Sequence, residues 1–260
     1  FAWPPPSMVG CGMHATLWQA LGWGLLLCVG LPSETRASRM EAEGDLLVFG
    51  DGNLGLGDTL ARNRPTRMPS PNREGITAVA MGSGHTAFMT DGDLWVYGYN
   101  VFGQLGLGDN VTRLTPTLLQ SPNHQRITDV FAGPYMTGFV AGDELFVFGI
   151  GKLGGLGIGE LRDQNRPRLV EYTRGDPIEL VAMGYCHTAF VLDGQLFMTG
   201  DNYNGQLGMG DRSHRAVPDR VFIPNGQRVT AVSLGHWTTA FIAGEQLFVC
   251  GRNTNGQLGL

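Results

Sequence analysis

The chain has 260 residues, a formal net charge of −5 and a pI near 5.6, with 40 glycines and 42% apolar residues. The ordinary apolar fraction excludes a disordered chain. Scattered arginines and a lone lysine, Lys152, exclude the basic stripe or tail that direct nucleic-acid binding needs.

Residues 1–39 stand apart from the rest of the chain. Pro4-Pro5-Pro6 opens irregularly, and 15–31 runs without charge through Trp18, Trp23 and Leu25-Leu26-Leu27. That length is at the short limit for a membrane span and also suits a signal-peptide core, although no Lys or Arg precedes it. Three readings stay open: a leader with Met40 as initiator, a targeting or anchor segment, or a degraded repeat in which His14-Ala15-Thr16-Leu17 echoes His85-Thr86-Ala87-Phe88. A membrane-anchored or secreted protein follows only from the second.

From residue 40 to 260 the chain repeats. The phrase DLLVFGDGNLGLGD at Asp45 returns as DLWVYGYNVFGQLGLGD at Asp93, then at Glu144, Gln195 and Gln246. The glycines closing the apolar runs, Gly98, Gly149, Gly200 and Gly251, are 51 residues apart. A second block, beginning at Ile76, Ile127, Ile178 and Val229, keeps the same step, as do Pro65, Pro116, Pro167 and Pro218. Three markers in one register predict a solenoid, propeller or array.

Within one repeat the runs are short and apolar on both faces. Leu94 and Val96 point one way and Trp95 and Tyr97 the other, as in a strand covered on both sides. Val79–Met81 and Ala87–Met89 give two more strands. Asp91-Gly92 is a hairpin turn between the second and third, with Ala141-Gly142, Asp193-Gly194 and Ala243-Gly244 at the matching places. The prolines open a weaker fourth strand, at Thr117–Leu119 and Arg168–Val170. Nothing has helical period. The expectation is an all-β chain: a partial β-propeller of about four to five four-stranded blades. The glycines of the Gly-x-Leu-Gly-x-Gly turns are expected at positive φ.

At Phe102-Gly103-Gln104-Leu105-Gly106-Leu107-Gly108-Asp109, Asn255-Gly256-Gln257-Leu258-Gly259 and Gly184-Tyr185-Cys186-His187-Thr188-Ala189, the chain resembles the regulator of chromosome condensation repeat family. The resemblance covers roughly residues 40–260. Kelch propellers share the period, but their Gly-Gly pair occurs here once, at Gly154-Gly155. The resemblance implies a seven-bladed ring. Seven blades at this period need about 357 residues, so the chain reads as a fragment.

No nucleophile–base–acid set stands out, no cysteine spacing suits a metal, and no cofactor is expected. The four cysteines (Cys11, Cys28, Cys186, Cys250) are far apart, which fits reduced thiols in the cytoplasm or nucleus. His85 and His187 recur in register beside Met136 and Thr238, which reads as structural. Asp58, Asp109, Glu160 and Asp211 fall on one rim, where they either cap their turns or meet a partner. Gln104, Gln206 and Gln257 read as ties between turns. The candidate partner contacts are Tyr99, Phe102, Asp109, Tyr203 and Asp211, with the loops Asp109–Pro116 and Gln120–Arg126 carrying specificity. The resemblance implies a protein-interaction scaffold. Its alternatives are nucleotide exchange on a small GTPase and the substrate-binding propeller of a larger ubiquitin ligase. The uniform 51-residue steps leave no room for the extra hairpin that the family's exchange catalyst inserts into its GTPase.

Overall fold

Short runs apolar on both faces become strands sandwiched between neighbouring sheets. The computed structural model describes residues 46–260; residues 1–39 and their apolar stretch 15–31 lie outside them. In chain order there are seventeen strands: β1 (Leu46–Gly50), β2 (Arg62–Met68), β3 (Ile76–Met81), β4 (His85–Thr90), β5 (Asp93–Gly98), β6 (Arg113–Leu119), β7 (Ile127–Ala132), β8 (Met136–Ala141), β9 (Glu144–Gly149), β10 (Gln164–Leu169), β11 (Ile178–Met183), β12 (His187–Leu192), β13 (Gln195–Gly200), β14 (Arg215–Arg220), β15 (Val229–Leu234), β16 (Thr238–Ala243) and β17 (Gln246–Gly251). Two single 3₁₀ turns, Lys152–Gly154 and Glu171–Thr173, are the only helical segments among the described residues. No described helix is long and apolar enough to cross a membrane.

The strands form five antiparallel sheets: β1-β2, β3-β4-β5-β6, β7-β8-β9-β10, β11-β12-β13-β14 and β15-β16-β17. Strands β3, β7, β11 and β15 touch one another in succession, so the first strand of each of these four sheets is innermost. The result is an open arc of propeller blades, three of them with all four strands.

The alternation read from the sequence sets the packing. Leu94 and Val96 join Leu105, Ile127, Phe139, Phe146 and Phe148 between the second and third blades. Trp95 and Tyr97 face the other way, toward Leu46, Val48 and Met68 of the first. The next two interfaces repeat the scheme around Leu145, Val147, Met183 and Phe190, then around Leu196, Met198, Val229 and Phe241. Stability is therefore a chain of nearest-neighbour interfaces. The leucines of the glycine-rich turns, Leu105, Leu156 and Leu207, are all buried there. Each contributes on the order of 2 kcal/mol of burial.

Two expectations need correction. The fourth strand begins three residues before its proline, not at it: β6 starts at Arg113 and β10 at Gln164, and β10 ends at Leu169, before Val170. The register shifts between the Gly98–Arg113 and Val96–Thr117 pairs, and Pro116 sits in that irregularity on the outer edge. A residue without an N–H fits there because no ladder bond is lost. The hairpin turns are Gly142-Asp143 and Gly244-Glu245, one residue later than expected; Ala141 and Ala243 are still paired strand residues. The turn needs positive φ at its first position, and Asp91, Gly142, Asp193 and Gly244 all adopt it there.

Candidate functional site

Each blade's first hairpin turn and its long third-to-fourth-strand loop lie on one face of the arc. A backbone bond joins them in four successive blades: Tyr99 N–H to Gly84 O (2.7 Å), Ile150 to Tyr135 (2.9 Å), Asp201 to Cys186 (2.8 Å) and Arg252 to Trp237 (2.9 Å). The residue before each donor is Gly98, Gly149, Gly200 or Gly251, at φ between 107° and 112°. A Cβ on Gly98 would collide with Gly84 O and His85 Cα, so glycine is required there twice over, by conformation and by space.

The acidic residues close the long loops. Asp109 Oδ1 accepts from Val111 N–H (2.9 Å), while Oδ2 pairs with Arg113 (2.6 Å). Asp211 does the same with Ser213 N–H (2.8 Å) and Arg215 (2.7 Å), and Asp58 with Leu60 N–H (3.0 Å) and Arg62 (2.7 Å). The arginine hydrogen bond, then the amide, holds each carboxyl below the ordinary aspartate range. Glu160 instead binds Arg168 (2.8 Å) and Gln164 (3.0 Å). Beneath the aspartates lie buried asparagines. Asn100 donates to Asp109 O (3.0 Å) and Val111 O (3.2 Å) and accepts from Leu105 N–H (2.9 Å). Asn202 repeats the pattern with Asp211, Ser213 and Leu207.

His85 and His187 sit below this face, both buried. Thr137 of the next blade donates to Gln104 O (2.7 Å), and His85 Nε2 lies 2.8 Å from the same hydroxyl. The hydroxyl has one hydrogen, already used, so His85 Nε2–H is the donor. Thr188 to Gly155 O and Thr239 to Gln206 O, each 2.7 Å, carry the inter-blade tie onward. The Gln104, Gln206 and Gln257 amide oxygens accept from Phe102, Asn204 and Asn255 N–H within their own turns. Burial pushes both imidazoles down to about 4, so they are neutral near pH 7. Burial pushes the Cys186 thiol up to about 12 and Cys250 up to about 11, which removes thiolate reactivity.

Across the top of the face runs an aromatic band. Centroid separations are 6.4 Å for Tyr99–Phe102, 5.2 Å for Phe102–Tyr135, 5.6 Å for Tyr135–Tyr185 and 4.1 Å for Tyr185–His236. Trp237 is next, at 4.0 Å from His236, and Arg252 lies 4.8 Å above the Trp237 ring. A depression of about 470 Å³ opens among Tyr99, Phe102, Tyr135 and Tyr185, with Asn53, Ser83 and Thr112 on its polar side. A second, more apolar one adjoins it at Phe102 and Tyr185, lined also by Ile150, Lys152, Leu153 and Leu161. Of the sequence candidates, Tyr99 and Phe102 come together here. Tyr203 is 73% exposed on its own loop, and Asp109 and Asp211 are engaged by their arginines.

Residues 43–89, 91–140, 143–191 and 193–242 each match the Regulator of chromosome condensation (RCC1) repeat. The chain belongs to the RCC1 repeat family. Over 226 residues it is 37% identical to the ultraviolet-B receptor UVR8 of Arabidopsis thaliana, covering 84% of this chain and 51% of the receptor. It is 36% identical over 185 residues to the probable E3 ubiquitin-protein ligase HERC4 of Mus musculus, covering 68% of this chain and 18% of the ligase. The chain thus spans about half the length of the plant receptor and under a fifth of the ligase. Among solved structures it resembles yeast RCC1 (Prp20) bound to Kap60, with a TM-score of 0.70 at 16% identity over 81% of this chain and 52% of that one. Human WBSCR16 gives 0.68 at 23% identity over 78% and 54%. Both likenesses are of fold alone.

In RCC1 terms, the residues that sequence reasoning missed are those that differ between repeats. Gly-Ser-Gly-His, Gly-Pro-Tyr-Met, Gly-Tyr-Cys-His and Gly-His-Trp-Thr occupy one turn in four blades. Large rings in a tight surface turn were the available signal for Tyr135, Tyr185, His236 and Trp237. Asn100, Asn202 and Asn253 were legible as a periodic position, interrupted once by Gly151.

Proposed function

We propose that the chain is a propeller scaffold for protein–protein contact and that the aromatic band is its contact face. The observation that carries this is the band itself. Rings from four successive blades meet on one face, and Tyr99 and His236 are exposed. Aromatic clusters with a polar border are what interfaces concentrate. Asp109, Asp211 and Tyr203 stand on the surrounding loops as rim contacts. Within this reading the partners are proteins, and two free thiols, Cys186 and Cys250, favour the cytoplasm or nucleus.

A second reading, the substrate-binding propeller of a larger ubiquitin ligase, rests on the likeness to HERC4 and uses the same face. Nucleotide exchange on a small GTPase has less support. Prp20p of Saccharomyces cerevisiae is characterised by its binding to Gsp1p and histones, but its likeness to this chain is at 17% identity. The test is affinity capture and crosslinking with the full chain, the Tyr135→Ala/Tyr185→Ala variant, and an Arg126→Ala/Arg228→Ala variant on the opposite face. The scaffold reading requires a crosslinked partner that the first variant loses and the second keeps. Equal capture by both, or accelerated release of labelled GDP from a small GTPase, overturns it.

A further inference from the structure

The geometry points to a specific occupant for this face: we infer that the depression among Tyr99, Phe102, Tyr135 and Tyr185 receives an arginine side chain of a bound partner segment. This deepens the scaffold reading and rests on it. The first observation is ring orientation. Tyr99–Phe102, Phe102–Tyr135 and Tyr135–Tyr185 meet at 70°, 66° and 78°. Rings stacked in parallel hide each other's faces, as Phe241 and Phe248 do at 12°. An edge-to-face contact leaves the faces of the edge-on ring uncovered by that contact, and a π face carries negative quadrupole density. Tyr185 alone in the depression has one face stacked, on His236 at 15°.

The second observation is an internal precedent. Two blades along the same band, the Arg252 guanidinium lies over the Trp237 ring at 4.8 Å, within cation–π range. The band already accommodates a guanidinium where the chain supplies one. The third is charge. The lining of the aromatic depression comprises Asn53, Ser83, Gly84, Thr112 and the four rings, with no cation among them. The nearest arginine along the chain, Arg113, is held by Asp109 at 2.6 Å. The whole chain is acidic at −5. No cation lines the depression, and the Ser83 and Thr112 hydroxyls offer acceptors to guanidinium N–H donors, while Asn53 Oδ1 already accepts from Gly55 N–H (3.2 Å).

The adjoining depression says what stands beside the arginine. Ile150, Leu153 and Leu161 line it, Lys152 marks its edge, and it shares Phe102 and Tyr185 with the aromatic one. Lys152 disfavours a second cation, and the three aliphatic side chains suit an apolar residue. The partner segment is therefore an arginine with an aliphatic residue close to it in sequence.

The test uses the peptide Ac-Gly-Arg-Gly-Leu-Gly-amide, its citrulline counterpart and its lysine counterpart, titrated into the full chain at millimolar concentration and monitored by NMR. Citrulline keeps the shape and most donors of arginine but removes the charge. The expected result is an upfield shift of the arginine side-chain protons and shifts at the Ser83, Gly84, Tyr135 and Tyr185 amides. The citrulline peptide should bind roughly three- to thirtyfold more weakly. Tyr135→Phe should retain binding because the π face remains, and Tyr135→Leu should lose it. Equal affinity for the citrulline peptide, loss of binding in Tyr135→Phe, or shifts mapping elsewhere each overturn the arginine assignment. The first of these outcomes leaves the scaffold reading standing. That reading fails if partner capture is indifferent to the band or if the chain accelerates GDP release.

Discussion

The two buried histidines make this arc acid-labile in a way that can be worked out. In the folded chain burial holds His85 and His187 at about 4, against 6.5 for a free imidazole. Between those values the unfolded chain takes up protons that the folded chain refuses. Stability is therefore full above pH 6.5 and is lost as pH falls toward 4. At pH 5 each histidine accounts for roughly 2 kcal/mol of lost stability relative to pH 7, and the pair for about 4 kcal/mol. That is a large share of the roughly 5–15 kcal/mol typical of a folded domain. The assay is urea unfolding of wild type and His85→Gln/His187→Gln at pH 7 and pH 5. Carboxylates titrate in both proteins, so the difference between their pH slopes isolates the histidines. The wild type should lose about 4 kcal/mol more than the double variant over this interval. Equal slopes would refute the claim that these imidazoles are buried and neutral in the folded chain.

Thr137→Val should lower stability by roughly 2–4 kcal/mol, because it strands both His85 Nε2–H and Gln104 O at one blade interface; Thr137→Ser should recover most of it in the same urea measurement. Gly98→Ala should be worse than an ordinary surface substitution, with loss of amide-exchange protection centred on β4 and β5, since the added Cβ meets Gly84 O and His85 Cα. An NMR titration should find Asp58, Asp109 and Asp211 ionising below the usual aspartate range, and Arg113→Gln should return Asp109 toward it. Asn202→Ala should loosen the Asp211 loop, read as faster exchange at Leu207 N–H, because its side chain bonds both ends of that loop.

How much was legible depended on whether a residue repeats. Gly98, Gly149, Gly200 and Gly251 recur because one backbone geometry recurs, and their period exposed the blade without coordinates. Leu94 and Val96 fall on one side of a strand and Trp95 and Tyr97 on the other by strand period alone, and the two pairs pack into different interfaces. The fourth strand was harder. Its residues, such as Arg113-Leu114-Thr115, lack an apolar pattern because the strand is an outer edge, and so the proline is the only uninterrupted periodic marker of its start. The pairing of Thr137 with His85 was hidden because it joins residues 52 apart in different blades. No local pattern encodes that contact.

The same logic separates fold from function here. A position that must satisfy one geometry in every blade converges on one residue type, as the closing glycines do. A position free of that demand diverges, and Gly84, Tyr135, Cys186 and Trp237 are the same turn position in four blades. Divergence into glycine or a polar residue is what solvent alone would permit. At this position and the one before it (Ser83, Pro134, Tyr185, His236), three successive blades place Tyr135, Tyr185 and His236 where their rings meet across blade boundaries. Phe102, Tyr135 and Tyr185 pack one side against a core cluster, while Tyr99 and His236 extend the band onto the exposed surface. A surface feature built from several blades at once, and extending beyond what packs on the core, is what the proposed contact face rests on.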